Sequence, residues 1–443
     1  MRGKRQECKH ALGKLLVCAI LLVVSLLGCQ QGMATVPLET APCAAAQLQV
    51  HVTGLAGPLA RSEVATLYVG GGTWLYALDA GSGFPRWCRV LQWRGPSQQN
   101  PLMGFGAIRH VGQELFAGIQ YGYLLGLDAQ NGAVRWGVEM EAGSEFWMEP
   151  AVDEGAGQVY GVGLSEVKAL KLSDGQERWS YRLSQKRADR TTTLVHLAPV
   201  VGEKVVYVVG DDLGTVEGRA STVVALDVST GKPRWTRSIP EGRAETYPLR
   251  VPQALLLGEG VLCLDVNDEI IGMRASDGRQ LWQVNSSQWG DYQLIGVGQG
   301  RLYVAKEGKQ EGKIQVSGLR LEDGQVSWSV ELAGEFDRFA APLQGLMEGQ
   351  VLYLVDGQGG VEALDGQSGR VLWQRRVVEG SVGGLVPSRL VIGERDVYVM
   401  TMQRDEKDQF MLNVLDKYSG QAKWKVELPL PVVKGWILPV LAM

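Results

Sequence analysis

Eight tryptophans at Trp87, Trp136, Trp179, Trp235, Trp282, Trp328, Trp373 and Trp424 recur 43 to 56 residues apart, and each carries the same local pattern. Four residues before each stands a glycine (Gly83, Gly132, Gly175, Gly231, Gly278, Gly324, Gly369, Gly420), and nine before stands Leu78, Leu127, Leu170, Leu226, Met273, Leu319, Leu364 or Leu415. A period of this length is that of one supersecondary unit that cannot bury its own apolar face and must stack on copies of itself. Within a unit, an alternating apolar run ends in Ala-Leu-Asp or a variant, turns through a short polar stretch closed by the glycine, and resumes at the tryptophan, which predicts a hairpin. A β-rich run precedes each Ala-Leu-Asp (Leu67 to Val69, Leu115 to Ala117, Val205 to Val209, Leu302 to Ala305, Val351 to Val355, Val397 to Met400), and a further apolar stretch precedes that, as in Ala198-Pro199-Val200-Val201. Each repeat therefore predicts four strands, called A to D here, and the chain predicts an all-β, eight-bladed β-propeller of four-stranded antiparallel blades. One Trp per blade at a fixed place packs blade on blade: burying about 200 Å² of ring is worth on the order of 5 kcal/mol.

Ala-Leu-Asp, a turn ending in Gly, and Trp four residues on resemble the repeat of quinoprotein-type (PQQ-like) eight-bladed propellers over roughly residues 57 to 428. The resemblance implies the fold. For function it implies either a quinone-dependent dehydrogenase or a non-catalytic lipoprotein of the BamB type that helps assemble outer-membrane barrels. Lys171, Arg274 and Arg320 replace the Asp in three repeats, which predicts looser turns in blades 3, 5 and 6.

Before the repeats, residues 1–28 read as an export signal: Arg2, Lys4, Arg5, Lys9 and Lys14 precede an apolar run from Leu15 to Leu27, too short to span a bilayer as a helix. Leu26-Leu27-Gly28-Cys29 resembles the bacterial lipobox, which implies a diacylated Cys29; the alternative is a plain signal with an incidental cysteine. Gln30 in place of Asp then favours the outer membrane, if the cell has one. Residues 29–47, rich in Pro, Thr, Ala and Gln, read as a flexible tether, and 48–443 as one propeller. Without residues 1–28 the chain keeps 39 basic and 47 acidic residues, so no basic footprint for nucleic acid is expected.

Cys43, Cys88 and Cys263 fall within the exported chain. An oxidising compartment permits a Cys43–Cys88 bridge; the alternative is three free thiols, with Cys263 in the core. Two segments outside the regular count bear on closing the ring: LQVHVT (48–53) is expected at the periphery of blade 8, and WILPVL (436–441) in blade 1.

Catalytic signals are sparse. His10, His51, His110 and His196 are scattered, and no Cys or His pair has zinc spacing. Asp265-Val266-Asn267-Asp268-Glu269 lacks the glycine and distal Glu of a calcium loop, Ser165-Glu166-Val167-Lys168 matches a serine–lysine spacing by letters only, and Gly357, Gly359 and Gly360 read as a hairpin tip. Quinone enzymes of the resembled family carry adjacent cysteines against the cofactor and bind calcium; no adjacent cysteines occur here, so neither PQQ nor calcium is expected.

The D-to-A connections hold most tryptophans outside the motif. They read as one face that binds an envelope protein or extended peptide, through Trp93, Arg94, Phe146, Trp147, Arg243, Tyr247, Trp289, Tyr292, Phe336, Arg338, Phe339 and Trp436, because Trp, Tyr and Arg are enriched at binding hot spots. The same residues folding down to cover blade ends is the alternative. The charged B–C hairpins are expected on the opposite face. The expected function is a non-catalytic, lipid-anchored extracytoplasmic scaffold; the alternative is a quinoprotein dehydrogenase or a small-ligand binder using the central funnel.

Overall fold

The structure is a computed structural model. It describes residues 38–44, 50–53, 65–93, 104–120, 122–140, 148–183, 193–195, 197–212, 220–240, 254–266, 269–285, 291–336, 342–378, 386–403, 409–430 and 440–443. All regular elements among these are strands, and they form eight antiparallel sheets, one per tryptophan repeat. Blade 2 shows the plan: Phe105–Val111, Glu114–Ile119, Tyr123–Asp128 and Val134–Glu139 pair in sequence order as strands A to D. In blade 4, strand A comes in two pieces, Thr193–Val195 and Val200–Gly202, both paired with Val205–Asp212.

Apolar side chains alternate between the two faces of each sheet, so the core is a set of layers between neighbouring blades. Val261, Cys263 and Ile270 of blade 5, for example, meet Leu302, Val304 and Leu319 of blade 6. Inside every blade but blade 5, where Cys263 takes its place, an aromatic ring on strand B and the repeat tryptophan on strand D flank one small residue on strand C. Tyr68, Ala77 and Trp87 are successive cross-strand partners, with the rings 5.9 Å apart. The alanine of Ala-Leu-Asp is thereby explained. Where glycine replaces it in blade 2, a Cβ on Gly126 would stand 2.2 Å from Trp136.

The tryptophan also reaches across to the next blade. Trp87 Nε1 donates to Ala129 O of blade 2, and Trp328 Nε1 donates to Gly366 O of blade 7. Its ring lies under the turn glycine of that next blade, so the motif glycine serves the preceding repeat's tryptophan. At Gly369 the φ is 72° and a Cβ would come 2.3 Å from Trp328 Cε3, so both backbone conformation and space require glycine. Gly83 of blade 1 covers Trp424 of blade 8 in the same way, and this contact helps close the ring.

Both chain ends complete the closure. Val440–Ala442 pairs with Thr66–Gly71 as the innermost strand of blade 1, and His51–Thr53 pairs with Ala422–Leu428 at the periphery of blade 8. Trp436 to Pro439 lie outside the described residues. Leu38–Pro42, read from sequence within the tether, forms a fifth strand on the outer edge of blade 1, and Cys43 is bonded to Cys88 of that blade's strand D with Cα atoms 5.4 Å apart.

The turns of blades 3, 5 and 6 are not looser than the rest. In blade 4, Asp227 Oδ1 accepts from Ser229 N and Thr230 N; with the Ser229 hydroxyl and the Arg234 guanidinium beside it, its carboxyl is held well below the usual range. In blades 3, 5 and 6 the charges are exchanged along the turn: Lys171 pairs with Asp174, Arg274 with Asp277 and Arg320 with Asp323. Those later aspartates accept from Gln176 N, Arg279 N and Gln325 N. The bond from the turn glycine N to the carbonyl four residues back is 2.8 Å in blades 4 and 5 alike.

Candidate functional site

The strand C to strand D register slips by one residue in every blade, leaving a bulge just before the tryptophan. In blades 1, 2, 4 and 8 the bulge residue is Arg86, Arg135, Arg234 or Lys423, and its cation returns to the turn aspartate: Arg234 Nη2 lies 2.7 Å from Asp227 Oδ2. In blade 7 the bulge residue is Leu372, which has no such partner and stays exposed beside Val371.

Leu372 belongs to an apolar rim. At the C–D-turn end of four consecutive blades stand Val326 (blade 6), Val371 and Leu372 (blade 7), Tyr418 (blade 8) and Phe84 (blade 1), with Tyr418 72% and Phe84 47% exposed. Lys417 Nζ, 6.0 Å from the Tyr418 ring centroid, is held by Glu348 of blade 7 and donates to Gly393 O, so Tyr418 sits on a braced turn. The corresponding part of blade 4 presents Lys232, Pro233 and Arg234. Sequence reasoning missed this rim because one apolar residue per turn, from two before to three after the turn glycine, carries no periodic signal.

Most of the sequence-predicted face falls outside the described residues: Arg94, Phe146, Trp147, Arg243, Tyr247, Trp289, Arg338, Phe339 and Trp436, and likewise Cys29. Trp93 ends strand D of blade 1 opposite Leu38. Tyr292 is corrected to the core: it is 1% exposed on strand A of blade 6, and its hydroxyl donates to Asp265 Oδ1 of blade 5 at 2.5 Å. Phe336 is half-buried against the layer between blades 6 and 7. The face assignment of the B–C hairpins is also corrected. Antiparallel strands bring the B–C turn to the end where strand D finishes, as Leu91 N to Thr73 O in blade 1 and Val377 N to Gly359 O in blade 7 demonstrate. The D-to-A connections and B–C hairpins therefore share a face, and the apolar rim occupies the other one with the A–B turns.

Two buried carboxyls stand near the B–C end of blade 7. Asp356 Oδ1 accepts from Gln358 N and Gly360 N, which fixes the hairpin tip, while burial raises its pKa. Glu362, on strand C, receives Gln374 Nε2 at 3.3 Å, and burial followed by the Asp356 charge pushes it up to about 8. Ser165 lies in the B–C turn of blade 3 and Lys168 pairs with Glu166, so the serine–lysine spacing belongs to an ion-paired hairpin. Cys263 is fully buried, and burial pushes its thiol up to about 12. The propeller's cysteines are thus one bridged pair and one core thiol, which does not fit a ring of adjacent cysteines against a quinone. Among the described residues no three His, Cys, Asp or Glu side chains converge as ligands for a metal.

Comparison with known proteins agrees with this architecture. The family described as "Outer membrane protein assembly factor BamB" matches residues 45–245, 164–336 and 266–434, overlapping segments that span the blades. BamB of Yersinia pestis is 26% identical over 216 residues, covering 47% of this chain and 48% of that protein. The chain spans about half the length of the curated relatives it matches. Among solved structures, the computationally designed Ika8 protein superposes with a TM-score of 0.50 at 14% identity, over 72% of this chain and 85% of that one, a likeness of fold. BamB from Moraxella catarrhalis gives 0.49 at 16% identity, over 88% and 98%. Repeat motif, blade architecture and family match agree that this chain belongs to the family of the outer membrane protein assembly factor BamB.

Proposed function

We propose that this protein is a non-catalytic scaffold of the bacterial envelope, held by lipid at Cys29 and docking on the machinery that assembles outer-membrane barrels. The observation that carries the reading is the apolar rim of blades 6, 7, 8 and 1, where four neighbouring blades expose Val326, Leu372, Tyr418 and Phe84 on one face. Exposed apolar residues scattered singly are ordinary, whereas an arc of them on a rigid frame marks a protein-binding surface. Membership of the BamB family supplies the kind of partner. The Cys43–Cys88 bridge suits an oxidising compartment outside the cytoplasm, and the committed cysteines argue for function without a quinone cofactor.

Deleting the gene in the source bacterium and quantifying folded barrels in its outer membrane tests the role. A several-fold fall, restored by the wild-type chain and not by Phe84→Ser/Leu372→Ser/Tyr418→Ser, is the expected result; unchanged barrel levels contradict it. The anchor is tested separately: Cys29→Ser is expected to abolish labelling by radioactive palmitate and to release the protein from the membrane fraction.

A further inference from the structure

Propeller blades splay toward the periphery, and between blades 7 and 8 the gap stays open as a cleft of about 390 Å³. Its walls are the end of strand D of blade 7 (Arg375, Arg376, Val377) and the outer strands of blade 8 from Asn413 to Leu415 and from Ala422 to Lys425, with Thr53 at the rim. Four lining residues are cations and none is a carboxylate, although the chain as a whole is acidic. A cleft lined by one sign of charge concentrates counter-charged ligands.

Two of those cations have nothing to hold. Lys423 is engaged by Asp396 and Asp416, and Arg376 donates to Gln358 Oε1 at 3.1 Å. Arg375 and Lys425 make no side-chain hydrogen bond or ion pair among the described residues. Arg375 stands two residues beyond its repeat tryptophan. At that position in blade 4, Arg237 donates from Nε to Gly278 O at 3.2 Å and from Nη2 to Asp277 O at 3.1 Å, and in blade 1 Arg89 donates to Asn131 O, so each spans to the next blade's turn. In blade 7 the same residue type leaves the turn of blade 8 alone and lines the cleft instead.

We propose that the cleft between blades 7 and 8 is a binding site for an acidic polypeptide segment, whose carboxylates are taken by Arg375 and Lys425. The floor favours a peptide over a single small anion. Val377 and Ala422 leave apolar surface between the cations, over the buried Val414 and Leu415, and the volume lies in the range of sites that enclose several groups of a ligand. Strand D of blade 7 is also the last strand of its sheet among the described residues, whereas blades 1 and 8 carry a fifth strand at that edge. An extended segment therefore has open access along the wall that holds Arg375. The site deepens the scaffold reading and rests on it only in taking the ligand to be a polypeptide; because the test supplies that ligand in solution, it fails or succeeds apart from any barrel-assembly role.

The test is fluorescence anisotropy of the full mature chain with a labelled peptide of alternating Asp and Val, beside a Lys-Val peptide of equal length. Saturable binding of the acidic peptide alone is expected, weakened roughly threefold or more between about 0.05 and about 0.3 M salt. Arg375→Glu/Lys425→Glu is expected to weaken it at least roughly tenfold with an unchanged melting temperature, while Arg375→Lys/Lys425→Arg retains it. If the charge reversals disturb folding, Arg375→Gln/Lys425→Gln takes their place. Equal binding by the substituted chains, or no saturable binding, overturns the proposal. Displacement of the peptide by inorganic phosphate at an ionic strength where chloride does not displace it also overturns the proposal, in favour of a small phosphate-bearing ligand.

Discussion

At the scale of single residues, the recurring glycine and tryptophan are two halves of one contact made between repeats. Gly369→Ala asks a side chain to adopt a φ of 72° with its Cβ inside the Trp328 ring. A loss of about 2–4 kcal/mol is expected, the sum of backbone strain and overpacking, read as a fall in melting temperature; Gly112→Ala, also at positive φ but with nothing within 4 Å of its Cβ, is expected to cost clearly less. Glu362 gives a pH prediction with a definite sign. Its folded pKa, about 8, lies above that of an unfolded glutamate, so the contribution of its neutral form is fully present below about 4.5 and is lost as pH rises through about 8. The melting temperature is expected to fall across that window, and Glu362→Gln is expected to remove this part of the fall; a pH profile identical in both chains contradicts the assignment. The sequence could not foretell this group, because Glu362 occupies an ordinary strand position and only the packing of blade 6 against blade 7 buries it.

At the scale of elements, the strands and their order were legible because each turn is written into residues next to one another. The exchanged pairs Lys171–Asp174, Arg274–Asp277 and Arg320–Asp323 show where that reading fell short: a replaced aspartate reads as a weaker turn until the compensating aspartate three residues on is seen bonding a later amide of that turn. Face assignment failed for a topological reason, since four antiparallel strands necessarily return the D-to-A connection to the side of the B–C hairpin. The closing strands were legible as extra β-rich segments. Deleting residues 440–443 removes the innermost strand of blade 1 and bares the edge of Thr66–Gly71, so a lower melting temperature and concentration-dependent aggregation by light scattering are expected. The Cys43–Cys88 bridge closes a loop of 45 residues; Cys43→Ser/Cys88→Ser is expected to cost about 2–4 kcal/mol and to make the segment around Leu38–Pro42 sensitive to limited proteolysis.

At the scale of the whole molecule, a ring of eight similar blades gives a rigid frame on which function resides in departures from the repeat. Leu372 where blades 1, 2, 3, 4 and 8 carry Arg or Lys, and Tyr418 and Phe84 on neighbouring turns, are such departures, and they are visible in the sequence once the repeats are aligned at the turn glycine. Tyr292 marks the converse: an aromatic residue near a connection that the fold draws into the core, where its hydroxyl meets Asp265. Residue type alone does not tell the two apart, because both carry a large amphipathic ring. The measurement that bears most directly on the scaffold account is co-purification of the tagged, full-length protein from outer membranes in mild detergent, with mass spectrometry of what is retained, beside Phe84→Ser/Leu372→Ser/Tyr418→Ser. The account predicts that barrel-assembly components are retained by the wild-type protein and lost, at an equal melting temperature, from the variant; their retention by both, or their absence from both, contradicts it.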